Sequence, residues 1–127
     1  MTDPRETLAR IRAQADAATE GPWEAEYSGE QGNCVLPPEY QSTREAVAVT
    51  RLLSAQADAE FIAAARTTVP ALLDALEKVL EQHSPLADGP QDGDIGCSGC
   101  YDSGYDMHGP YPCELVEAIT TALDGIR

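Results

Sequence analysis

Residues 84–112, SPLADGPQDGDIGCSGCYDSGYDMHGPYP, restrict how this chain can fold more than any other stretch. They are rich in Gly, Asp and Pro, lie between two helical patterns and carry no apolar periodicity of their own. An irregular segment of that length in a small chain needs a tether. The groups available for one are thiols: Cys97 and Cys100 in C-x2-C spacing, and Cys113 immediately beyond the segment. The chain is expected to be cytoplasmic. Its start, MTDPRETLARIRAQ, lacks an apolar signal region, and no apolar run reaches the ~18 residues of a membrane span. In that compartment thiols stay reduced, so the C-x2-C pair favours metal or redox chemistry over a structural disulfide.

Tetrahedral zinc takes Cys and His ligands, commonly a close pair joined by more distant groups. Cys97 and Cys100 are such a pair. Cys113 is expected at the start of a helix, where unpaired backbone N–H groups favour the thiolate. A redox pair of the thioredoxin type opens a helix after a strand, whereas Gly96, Gly99 and Gly104 surround this one. The expected cofactor is therefore one structural Zn2+, with iron as the competing metal. Binding would join the loop to the last helix and convert metal affinity into folding stability.

The residue pattern leaves the fourth ligand open. His83 follows Leu72, Leu76, Val79 and Leu80 on one helical stripe, at the C-terminal end. His108 lies within the loop and could fold back; Cys34 or water are the remaining choices. Cys34, in NCVL, otherwise reads as a small buried hydrophobe. Three thiolates and an imidazole would close the site and make it structural. Water in the fourth position would open it, with Glu114 as the candidate base of a small zinc hydrolase. No catalytic residue is assigned, because the sequence contains no P-loop, GxSxG or HExxH.

The remaining elements follow from local signals. Asp3, Pro4 and Glu6 form an N-cap, N1 and N3 set ahead of Leu8, Ile11, Ala15 and Ala18, and Gly21-Pro22 ends that helix. WEAEY, NCVL and EAVAVT read as two or three short antiparallel strands. ADAEFIAAAR is helical with Phe61, Ile62 and Ala65 as its apolar face. A break at Thr67-Thr68 precedes a second helix, VPALLDALEKVLEQH, and Pro112 opens the last one. Trp23 is expected to close the core over the first helix. The fold class is thus α+β, with helices packed on a small antiparallel sheet and a zinc-stapled loop before the C-terminal helix. A single domain is expected: a helix–sheet–helix body over 1–83, a metal-binding loop over 84–112 and a C-terminal helix over 113–127.

Charge narrows the partners. The formal net charge is -14, and between Thr67 and Ile126 eleven acids face a single base, Lys78. Such a surface repels phosphate backbones, which excludes direct nucleic-acid binding and suits a protein partner with a basic surface. Tyr101, Asp102, Tyr105 and Asp106 interleave aromatic and acidic groups as a candidate partner-binding loop. Arg44, Arg51 and Arg66 fit no phosphate-binding pattern and read as surface ion-pairing groups.

GPW after the first helix, ADAEFIAAARTTVPALLDALEKVLEQH and the closing CSGC…YPC together resemble small uncharacterised proteins of actinobacteria and their phages. In that family a His ends the long helix ahead of CxxC and WPC, so the resemblance assigns the ligand positions to His83, Cys97, Cys100 and Cys113. The chain departs from the pattern at Tyr111, where Trp is common, and in the longer insertion DSGYDMHG. That insertion brings in His108 as an alternative fourth ligand. The resemblance implies no activity. The expectation is a non-enzymatic, acidic, zinc-stabilised accessory protein of phage or prophage type, monomeric or homodimeric. It would bind a host protein, as an inhibitor or nucleic-acid mimic. The alternatives are the small hydrolase and a small-molecule binder.

Overall fold

A computed structural model describes residues 3–29, 32–87, 89–91 and 94–126. The first helix, α1 (Pro4–Ala17), begins as its capping signal requires: Asp3 Oδ1 accepts from the Arg5 N–H at 2.9 Å, and the Asp3 carbonyl accepts from Glu6. Strands β1 (Glu24–Gly29), β2 (Gly32–Leu36) and β3 (Ala48–Val49) follow. They form an antiparallel sheet in that order, with Ala25 opposite Val35 and Cys34 opposite Val49. Gly32 opens β2 at φ +86°, a left-handed conformation that glycine adopts without a Cβ penalty. The architecture is α+β, as expected from the sequence.

Two expectations about the secondary-structure elements change in the structure. The first is the break at Thr67-Thr68: α2 runs unbroken from Ala55 to Gln82, with Pro70 inside it. A mid-helix proline costs about 3 kcal/mol. The continuous buried series Ala59, Ala63, Leu73 and Leu80 offsets that through packing. The second concerns residues 84–112, within which residues 85–86, 96–102 and 107–110 form a sheet. Strand β5 (Gly96–Asp102) lies between β4 (Pro85–Leu86) and β6 (Met107–Pro110), all antiparallel. The β5–β6 turn is closed by Asp102 Oδ1, which accepts from the Gly104 N–H at 2.8 Å, and by Asp106 in a left-handed conformation. Helix α3 (Glu114–Leu123) ends the fold, with Cys113 as its N-cap.

The chain forms two compact units, one of residues 12–73 and one of residues 1–11 with 74–127. In the first, Val35, Ala59 and Ala63 form a buried cluster covered by Trp23, Ala25, Ala48 and Ile62. Trp23 therefore packs on the sheet and α2, with its indole N–H donating to the Thr19 carbonyl at 3.0 Å. Arg66 lies over the Trp23 ring and donates to the same carbonyl, so it is a packing group. The small side chains of Ala59 and Ala63 let helix and sheet approach closely. In the second unit the large aliphatic side chains that are fully buried, among the described residues, are Leu8, Leu80 and Val116, together with Cys97. Among the described residues, no helix is long and apolar enough to cross a membrane.

Val35→Ala removes two buried methyl groups at the centre of the first unit's cluster. The expected loss is about 2 kcal/mol in chemical denaturation, with metal content unchanged.

Candidate metal centre

His83, Cys97, Cys100 and Cys113 are brought together by three separate elements. Their ligand atoms all lie within 4.8 Å of one another. His83 sits directly after α2, its N–H still bonded to the Val79 carbonyl at 3.1 Å. Cys97 and Cys100 lie on β5, and Cys113 caps α3. His83 Nδ1 is 3.4 Å from Cys97 Sγ, 3.6 Å from Cys100 Sγ and 3.6 Å from Cys113 Sγ.

Those three distances decide between hydrogen bonding and metal ligation. A neutral imidazole nitrogen has either one lone pair or one N–H, so it cannot serve three thiols at once. A tetrahedral ion with M–S of 2.3 Å and M–N near 2.0 Å places each sulfur about 3.6 Å from the nitrogen. The three N–S spacings match those of a tetrahedral shell, and the donor set of three sulfurs and one imidazole nitrogen fits a single metal ion.

Electrostatics at the thiols differ by position. Burial opposes ionisation of Cys113. The N–H groups of Val116 and Leu115 and the thiols of Cys97 and Cys100 outweigh it, so its pKa lies below the ordinary thiol value. Cys100 is pushed up to about 11, first by burial and then by its neighbouring thiols. Cys113 thus ionises more readily than Cys100 toward an incoming cation, as its place at a helix N-terminus favours.

The groups flanking the ligands fix this geometry. Ser98, between the two β5 cysteines, grips the residues on either side of His83. Its N–H donates to the Ser84 carbonyl at 2.9 Å, its hydroxyl donates to the Gln82 carbonyl at 2.9 Å, and its Oγ accepts from the Ser84 N–H at 2.8 Å. Gly99 has no room for a side chain. A Cβ there would lie 2.4 Å from the Gln82 carbonyl oxygen and 2.7 Å from the His83 ring. Arg5 reaches from α1 to donate to the carbonyls of Leu80 (2.7 Å) and His83 (3.2 Å) and to the Tyr111 hydroxyl (2.8 Å). A guanidinium is thereby placed at the negative end of α2 and beside the ligand it carries.

The other sequence candidates lie elsewhere. His108 is not a fourth ligand in this structure. Its Nδ1 is 3.1 Å from the Cys97 carbonyl oxygen, and its ring meets Tyr101 edge-on at 5.1 Å. Cys34 is fully buried on β2, where burial raises its pKa. Tyr101, Asp102, Tyr105 and Asp106 are exposed on the β5–β6 turn, with the Tyr101 hydroxyl bonded to Asp106. Arg5 and Ser98 were not singled out from sequence, and Gly99 was read only as a sign against a redox pair. Arg5 alone left a signal, as a cation in a helix's first turn, where it opposes the dipole. No family model, curated protein or solved structure matches the chain.

Ser98→Ala keeps all four ligands but releases the grip on residues 82 and 84. Metal affinity measured against a competing chelator is expected to fall roughly 10- to 100-fold, with stoichiometry unchanged. Gly99→Ala is expected to lose more, because the His83 ring and the Gln82 carbonyl must both move.

Proposed function

We propose that the centre holds one zinc ion in a closed, structural role, and that the protein acts by binding rather than by catalysis. The observation that carries the metal reading is the convergence of three sulfurs on His83 Nδ1 at 3.4–3.6 Å. Four protein donors fill a tetrahedral shell and leave no position for an activated water, which favours a structural ion over a hydrolytic one. Zinc is preferred to iron because mixed thiolate–imidazole sets suit a borderline ion with no geometric demand of its own. Cobalt(II) titration tests the ligand set. The expected spectrum combines tetrahedral d–d bands with thiolate charge transfer at one equivalent, both lost in Cys97→Ser. Elemental analysis of protein purified from its native host without chelator should find one zinc per chain. One iron in its place would overturn the choice of metal.

In solution the ion would support one unit selectively. All four ligands belong to the unit of residues 74–127 with 1–11, where Leu8, Leu80 and Val116 are the fully buried large aliphatic side chains among the described residues, and none belongs to residues 12–73. Binding free energies of structural zinc sites, about 10–16 kcal/mol, are therefore large beside what that unit's packing supplies. After chelation, hydrogen exchange should rise across β5, β6 and α3 while β1, β2 and residues 55–73 keep their protection. Uniform protection after metal removal would overturn the structural role.

The partner reading is a host protein with a basic surface, engaged by the acidic residues of 67–126 and the Tyr101–Asp106 turn. It places the protein among accessory proteins of phage or prophage type, as an inhibitor or nucleic-acid mimic. The charge distribution supports it: eleven acids against Lys78 in that span. Affinity for such a partner should drop steeply as salt rises, because screening removes the steering field.

A further inference from the structure

The face of α2 turned away from the Val35 cluster is apolar and uncovered. Phe61, the only phenylalanine, is 75% exposed, and Leu72, nearly in line with it three turns on, is 57% exposed. Between and beside them Ala57, Ala64, Thr68 and Ala71 are also exposed. Ahead of the helix, Leu52 (77%) and Leu53 (109%) extend the strip. Leu52 and Phe61 share a groove of about 390 Å³ with Val49 and Ile62. Arg51 and Asp58 also line that groove, while two other charged side chains beside the line are engaged elsewhere. The Glu60 carboxylate accepts from the Tyr27 hydroxyl at 2.8 Å, and Arg66 is engaged with Thr19 and Trp23.

We propose that this face is the interface of a homodimer in which α2 of a second copy packs antiparallel across it. The inference goes beyond the metal centre and does not depend on it. Three observations choose a second copy as the occupant. The first is charge. Two chains of net charge -14 repel least where carboxylates are fewest, and the positions Ala57, Phe61, Ala64, Thr68 and Leu72 carry none, Asp58 lining the adjoining groove together with Arg51. A basic partner would find no counter-charge at those positions.

The second is self-complementary shape. A two-fold axis between Ala64 and Ala65 sets Phe61 against the second copy's Thr68, and Leu72 against its Ala57. Large groups thus meet small ones on both sides, and alanines at the crossing let the helices approach closely. The third is area. Leu52, Leu53, Phe61 and Leu72 would together withdraw roughly 500 Å² per copy, or about 1,000 Å² in the pair, near the lower bound for a specific interface. Area alone does not set affinity, but an interface at this lower bound is expected to be weak, with dissociation on the order of 10 µM.

Sedimentation velocity of the full chain, metal-loaded, between about 1 and 200 µM tests the proposal against the 13.6 kDa monomer mass. The expected result is a reversible monomer–dimer equilibrium that tightens with added salt, as screening relieves the mutual repulsion. Phe61→Glu places two carboxylates in the interface and should weaken association at least 100-fold. Its circular dichroism should match wild type, since Phe61 is already exposed. Mixing Ala57→Cys chains with Leu72→Cys chains should give a disulfide between copies under mild oxidation. A wild-type chain monomeric throughout, a dimer unaffected by Phe61→Glu, or cross-linking confined to Ala57→Cys with itself would each overturn the arrangement.

Discussion

Three sulfurs converge on one imidazole nitrogen, and the C-terminal half of the chain is arranged to make that convergence possible. The His83 ring leaves the end of α2, Cys97 and Cys100 come from one strand, and Cys113 caps the next helix. None of these groups is near another in chain order except the C-x2-C pair. Closing the loops that bring them together costs entropy, which a few buried aliphatic groups do not offset. One multivalent centre can offset it, because each ligand removes a separate loop's freedom. The Ser98 staple and the Gly99 gap show how much of β5 is devoted to orienting His83 rather than to packing.

The charge at this centre also accounts for Arg5. Three thiolates around a divalent ion would leave a formal charge near -1, within an already acidic unit. The C-terminal end of α2 adds its own partial negative charge at His83. Arg5 answers both with hydrogen bonds to Leu80 and His83, and its bond to the Tyr111 hydroxyl ties in the chain just before Cys113. A cation that is unfavourable in the first turn of α1 is thus favourable in the tertiary structure.

Much of this was legible in the residues, for identifiable reasons. Asp3 and Pro4 mark a helix start by stereochemistry alone, and WEAEY and NCVL carry strand periodicity. Cys97, Cys100 and Cys113 announce shared chemistry by spacing. Strand β5 was not legible: GCSGCYD contains no β-branched residue and two glycines, so its pairing rests on backbone bonds and on the centre beside it. The continuity of α2 was hidden by Thr67, Thr68 and Pro70, three locally unfavourable residues overruled by packing. Its buried face was misread for a related reason. Phe61 and Leu72 are the bulkier hydrophobes, yet Ala59, Ala63 and Leu73 are the buried ones, because the sheet needs small groups to approach.

That misreading has a physical lesson for the two kinds of surface on this chain. A large hydrophobe left outside while alanine goes inside has no fold-stabilising reason to be large. The acidic residues of 67–126 and the bare strip of α2 respond to ions in opposite directions. Screening weakens attraction between carboxylates and a basic protein, and the same screening relieves repulsion between two chains of like charge. Under the two proposed associations, low salt would favour single chains on a basic partner, and high salt would favour pairing through Phe61 and Leu72. The two associations can be separated by ionic strength alone, without altering a residue.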